Sequence, residues 1–156
     1  MCSTPNRPVL TCSGASEKRT LTHVPRLGRI SEISLLTQRK MIAIVDDDSS
    51  TLDAIGLLLN AHGFEVRTFD SAEAFLERDA AEQVDCLLLD IDLGGLSGIG
   101  LRRRLEASGS TLPVIFMTGL DDAATRGQAL SAGCVAYLLK PVLARQLVDA
   151  IHKATP

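Results

Sequence analysis

Four short apolar runs in this chain stop on residues that can do polar chemistry. Met41–Val45 ends on Asp46, Asp47 and Asp48; Val84–Leu89 ends on Asp90, with Asp92 close behind. Pro113–Met117 is closed by Thr118, and Cys134–Leu139 is closed by Lys140. Clustered carboxylates repel one another and stay ionised only when something neutralises them. Hard oxygen ligands at an open site suit Mg²⁺ or Mn²⁺, which keeps waters and binds carboxylate and phosphate oxygens together. A hydroxyl donor and an ammonium beside such a cluster make a receptor for a phosphoryl group. One carboxylate could then act as nucleophile, forming an aspartyl phosphate. Asp90 is the best placed, at the end of the most central run.

Each residue alone has an ordinary reading. An Asp after a strand is usually a turn former or a helix cap, and Asp48, Asp70 and Asp121 are read that way. Thr118 could simply finish a strand, and Lys140-Pro141 could be a stop. The conjunction carries the argument, because the residues share one edge only if the runs are parallel strands of one sheet.

The intervening elements predict that arrangement. Runs of four to eight apolar residues bounded by turn signals read as buried parallel strands. Ser49 or Ser50 can cap a helix burying Leu52, Ile55 and Leu59, which His62-Gly63 ends. Glu65–Phe69 alternates as a strand, and Ser71 caps a short helix over Ala72–Arg78. Ser97–Ser108 reads as a helix with Ile99, Leu101 and Leu105 inward, Gly100 beside them, and Arg102, Arg103 and Arg104 largely outward. Asp121–Ala132 is a helix closed by Gly133. Val142–Lys153 is the last helix, apolar through Val142, Leu143, Leu147, Ala150 and Ile151. Five strands alternating with five helices imply an α/β, flavodoxin-like (βα)5 doubly wound parallel sheet, strand order 2-1-3-4-5. That order brings strands one and three side by side at the switch point, so Asp46-Asp47 and Asp90 converge.

Composition agrees with one soluble domain. The chain has 156 residues, 46% hydrophobic but only 3% aromatic, so Leu, Ile, Val and Ala must fill the core. No apolar stretch approaches the roughly 20 residues of a membrane span. Cys2, Cys12, Cys86 and Cys134 show no paired metal spacing, which points to a reducing, cytoplasmic setting without a disulfide framework. Residues 1–40 carry seven Lys/Arg against two acids, whereas the remainder is acidic. The acidic part favours a cation and disfavours direct nucleic-acid contact. Residues 1–40 read as a disordered basic extension, which would be upstream sequence if the true start is Met41, in preference to a transit peptide. Residues 41–156 are the expected domain.

From Met41 onward the chain resembles the receiver domain of bacterial two-component response regulators, most like the FixJ type. The resemblance rests on IAIVDDDSS, CLLLDIDLGGLSG, PVIFMTG and AYLLKPV, in order and at the family's intervals between Asp47, Asp90, Thr118 and Lys140. It implies that Asp90 is the phospho-acceptor, fed by a histidine kinase or phosphotransfer protein. It implies Mg²⁺ (or Mn²⁺) held by Asp47 and Asp90, with Asp46 acting directly or through water and Asp92 lending its backbone carbonyl. Lys140 would pair with the carboxylate and then the phosphoryl group, Thr118 would hydrogen-bond the phosphoryl oxygens, and Tyr137 would be the aromatic switch. The protein would be a phosphorylation-activated switch, self-catalysing its phosphoryl transfer and dephosphorylation, and not a turnover enzyme.

If the chain is full length, it is a stand-alone receiver with an unknown downstream protein target and no membrane partner. Its contact face would be the 121–132 helix, strand five and the last helix, with Arg126, Gln128 and Arg145 as candidate contacts. A phosphorylation-dependent dimer would use that face. Two departures stand out: Gly94, followed by Gly95, replaces the family's usual Pro, and Asp92 adds an acid beside the acceptor. They predict altered autodephosphorylation or slower phosphorylation by small-molecule donors. Two rival readings are a haloacid-dehalogenase-type phosphohydrolase, whose Asp-x-Asp signature Asp90-Ile91-Asp92 fits, and a receiver-like module that is never phosphorylated. The phosphohydrolase nucleophile belongs on a first strand, and here it falls on the third.

Overall fold

The computed structural model describes residues 38–80 and 82–156. The extension expected over residues 1–40 therefore lies almost wholly outside the described residues. The elements run β1 Met41–Val45, α1 Ser49–Ala61, β2 Glu65–Phe69, α2 Ala72–Glu77, β3 Cys86–Asp90, α3 Gly98–Ala107, β4 Val114–Thr118, α4 Ala123–Ser131, β5 Ala136–Leu139 and α5 Ala144–Ala154. The five strands form one sheet in the order β2-β1-β3-β4-β5. Every pairing is parallel. Both the fold class and the strand order match the sequence expectation.

Side-chain alternation along the strands sorts the core into two layers. Ile42, Ile44, Cys86, Leu88, Ile115 and Met117 pack with Leu52 and Leu59 of α1 and Leu147, Ala150 and Ile151 of α5. Ala43, Val45, Leu87, Leu89, Val114 and Phe116 pack on the other face with Phe75 of α2, Ile99, Leu101 and Leu105 of α3, and Ala129 of α4. A strand covered on both faces reads as a near-continuous apolar run, and β3 and β4 are buried throughout, apolar up to their last residues, Asp90 and Thr118. The edge strand β2 instead exposes Glu65, Arg67 and Thr68, and charge on an edge discourages pairing with another chain.

The boundaries differ from expectation where a polar group offers a better partner. Asp48, and neither Ser49 nor Ser50, caps α1: its Oδ1 accepts from the Ser50 amide at 3.0 Å and its Oδ2 from Thr51 Oγ1 at 2.9 Å. The α4 cap is Asp122, accepting from the Thr125 amide at 2.8 Å, while Asp121 pairs with Arg126. Ser71 caps α2 as expected, and Asp70 only accepts from its hydroxyl. β3 begins at Cys86; just before it, Asp85 donates its amide to the Met41 carbonyl at 2.8 Å and accepts from the Met41 amide at 2.7 Å through its carboxylate. Residues 134 and 135 fall outside β5, although the Val135 amide still bonds the Val114 carbonyl. Val142 and Leu143 are not helical. Leu143 is the capping position of α5 and is exposed, and Ala154 joins the buried face instead.

Candidate functional site

The carboxyl ends of the strands bring the predicted side chains together. In the β1–β3 register Val45 lies opposite Leu89, so Asp46 and Asp90 each follow at the same rim. Asp46 and Asp90 are buried and Asp47 is exposed, and one carboxylate oxygen from each lies within 4.8 Å of the others. Lys140 arrives from the end of β5. Its Nζ donates to Asp46 Oδ2 at 2.6 Å and lies 3.2 Å from Asp90 Oδ2. One ammonium thus serves two buried carboxylates, while Asp47 keeps the open side.

Local hydrogen bonds orient these groups. The Asp48 amide donates to Asp46 Oδ1 at 2.9 Å. The Asp92 amide donates to Asp90 Oδ1 at 3.2 Å. Burial lifts Asp90 above the usual carboxylate range; the Lys140 charge opposes the rise, the Asp46 charge adds to it, and the Asp92 amide opposes it. Burial alone would lower the Lys140 ammonium. The hydrogen bond to Asp46 and the charges of Asp90 and Asp46 outweigh that and hold it above its ordinary value.

Thr118 is fully buried at the end of β4 but belongs to a second group. Its Oγ1 is within donating reach of Asp92 Oδ2 at 3.2 Å and of the Leu120 carbonyl at 3.1 Å, and accepts from the Leu120 amide at 3.1 Å. Tyr137 is half-buried, and its hydroxyl donates to the same Leu120 carbonyl at 3.3 Å. The Arg126 guanidinium lies 5.7 Å from the Tyr137 ring and is paired with Asp121. Thr118, Tyr137 and the loop between β4 and α4 are therefore wired together through Leu120. Of the other candidate contact residues, Gln128 is exposed and Arg145 sits 4.0 Å from Asp149 on the same helix face.

The fit to a divalent cation rests on the donor set. Three hard carboxylates converge, one on the solvent side, and a single lysine leaves their summed charge negative. Asp46, Asp47 and Asp90 are the residues that could hold it.

Sequence reasoning missed two supporting residues. Gly98 opens α3 directly beneath Asp90: a Cβ there would lie 2.2 Å from the Asp90 carbonyl oxygen. Only glycine allows the helix to start so close to that backbone. Glu73 of α2 accepts from the Leu96 amide at 2.9 Å, across the loop between β3 and α3. The glycine-rich turn hinted at the first; nothing local to residue 73 signalled the second, which depends on packing between distant segments.

Residues 42–152 match the model of the response regulator receiver domain, and the chain belongs to that family. The transcriptional regulatory protein TdiR of Thauera aromatica is 36% identical over 113 residues, spanning 72% of this chain and 50% of that protein. The transcriptional regulatory protein FixJ of Bradyrhizobium diazoefficiens is 34% identical over 125 residues, 78% of this chain and 61% of that one. The chain thus spans between half and two thirds of these curated relatives. Among solved structures, FixJ-N is similar with a TM-score of 0.70 and 30% identity over 76% of this chain and 94% of that one. A receiver domain protein from Clostridium thermocellum gives 0.69 and 31% over 74% of this chain and 94% of that one.

Proposed function

We propose that residues 41–156 form a phosphorylation switch in which Asp90 takes a phosphoryl group from a histidine kinase or phosphotransfer protein. The observation that carries this reading is the placement of Asp90. It lies on a central strand, buried, 3.2 Å from Lys140 and gathered with Asp46 and Asp47. An Asp90 carboxylate oxygen attacks the donor's phosphorus. The bond from phosphorus to the donor's imidazole nitrogen breaks, its electron pair stays with the imidazole, and an acyl phosphate forms. Asp46, Asp47 and Asp90, with the Asp92 carbonyl, would hold Mg²⁺ (or Mn²⁺), whose charge would offset the clustered carboxylates and the incoming phosphoryl group.

Lys140 starts with two carboxylates to hold and ends pairing with the phosphorylated side chain. Thr118 leaves its bonds near Asp92 and Leu120 to donate to a phosphoryl oxygen. That breaks the shared Leu120 contact and frees Tyr137 to turn inward. The changed face over α4, β5 and α5 then meets a protein target in the cytoplasm or a second copy of the chain. The protein is on this reading a switch with self-catalysed chemistry, and its acidic domain makes no direct contact with nucleic acid.

The family match and Asp90's position on β3 disfavour the phosphohydrolase reading. The test is incubation with an acyl phosphate and Mg²⁺, followed by intact-mass spectrometry. One phosphoryl adduct is expected, absent in Asp90→Ala. A wild type that stays unmodified where a control receiver is labelled makes the chain a receiver-like binding module and overturns the proposal.

A further inference from the structure

The loop from Ile91 to Ser97 walls one side of the Asp90 site, and its middle is glycine. At its start the Asp92 amide is tied to Asp90, and at its end the Gly98 amide donates to the Ile91 carbonyl at 3.1 Å. Between them, Gly94 and Gly95 carry no side chain to restrain the backbone. Glu73 reaches this stretch from α2, which is remote in sequence.

Two observations place the Glu73 carboxylate flush against the loop. Its Oε1 accepts from the Leu96 amide at 2.9 Å. A Cβ at Gly95 would come within 2.8 Å of the same oxygen, so glycine leaves the space that the carboxylate fills. The Leu96 amide, as the chief cause, holds the Glu73 carboxyl below its usual range, in keeping with a bond made to the charged form. The loop so held bears on the site itself: the Cβ position at Gly94 is 3.9 Å from Asp47 Oδ2, the carboxylate on the open side.

We infer that Glu73 is a positioning residue for phosphoryl acceptance, fixing the glycine loop against Asp47 and so shaping the open side of the carboxylate cluster. The inference rests on the acceptor reading of Asp90. Glu73 touches neither the reacting atoms nor the cation ligands and acts only through the Leu96 amide and the backbone of residues 94–96. A tether of this kind does the restraining that a stiffer residue at position 94 would do.

Three proteins test it: the wild type, Glu73→Ala and Glu73→Gln. Glutamine keeps an oxygen acceptor but loses the charge that also favours the first turn of α2. MgCl2 affinity is read by titration calorimetry, Leu96 amide exchange by deuterium labelling, and adduct formation with an acyl phosphate by mass spectrometry. In Glu73→Ala, Mg²⁺ affinity and labelling rate should each fall roughly three- to ten-fold, with faster Leu96 exchange, because one hydrogen bond is lost. Glu73→Gln should recover most of all three. Alanine and wild type agreeing within two-fold in affinity and labelling overturns the inference alone. So does glutamine failing as badly as alanine, which assigns the effect to the helix charge. A wild type that neither binds Mg²⁺ nor is labelled overturns the acceptor reading and this inference with it.

Discussion

Asp90 is a carboxylate kept where a carboxylate is costly. Burial lifts it above its ordinary value of 3.8, with the Lys140 charge resisting and the Asp46 charge assisting the rise. The folded protein therefore binds more protons than the unfolded chain between 3.8 and the lifted value, so this group's contribution to stability falls as pH rises through that window. Asp90→Asn removes that slope. In EDTA, urea unfolding at pH about 4 and about 7 should show the variant gaining on the wild type as pH rises. An equal difference at both pH values refutes the assignment. Asp92 also has a stake in the site, because its carboxylate lies 3.2 Å from Thr118 Oγ1. Asp92→Asn should weaken the hold on that hydroxyl, because an amide oxygen replaces a charged acceptor, and remove a charge that repels phosphate. Labelling by an acyl phosphate should therefore speed up severalfold and the adduct's decay should change. Mass spectrometry over time checks both, and unchanged rates dispose of the idea.

Two glycines near the acceptor make opposite demands on the elements they join. Gly98 starts α3 against the Asp90 carbonyl, where a Cβ would lie 2.2 Å away. Gly98→Ala should push α3 off the sheet at a cost of about 3 kcal/mol or more, read by urea unfolding. Gly94 has only ordinary contact, with Asp47 Oδ2 at 3.9 Å, and no left-handed backbone. Gly94→Ala should be tolerated and add about 0.5 kcal/mol by restricting the unfolded chain. A destabilised Gly94→Ala would mean that the loop uses glycine for more than freedom. The sequence was most legible at this scale where periodicity was strong. The strand ends bearing Asp46, Asp90, Thr118 and Lys140 could be read because apolar runs stop on them. Caps were harder. Ser49 and Ser50 offered themselves as caps beside Asp48, and it is the Asp48 carboxylate that bonds the Ser50 amide and the Thr51 hydroxyl. Apolar runs also overstated strands: Val84, Cys134 and Val135 are apolar but lie outside β3 and β5.

For the whole molecule, alternation of strand and helix was enough to give the order β2-β1-β3-β4-β5. The link from Glu73 to Leu96 and the grouping of Thr118 with Asp92 were not legible, because both depend on side-chain reach across segments far apart in sequence. Cys86 gives a probe of the assembled core. It is fully buried on β3, and burial, chiefly, pushes its thiol up to about 12. Alkylation at pH about 8 should leave Cys86 unmodified in the native protein and modify it on unfolding in urea, as peptide mass spectrometry can show. Native labelling of Cys86 would mean that β3 is reached by local opening.

The side chains that carry the proposed chemistry sit on one rim of the sheet. The opposite rim is built from the turns at His62–Phe64, Ser108–Pro113 and Ala132–Val135, eased by positive-φ glycines at 63, 109 and 133. These turns hold none of the residues gathered at Asp90. Exposed turns of this kind are the natural places for insertion. The Gly109–Ser110 junction is thus where a reporter domain or a recognition epitope could be grafted while the acceptor rim keeps its shape. Lineages could lengthen or re-letter that side of the molecule with little penalty to the chemistry.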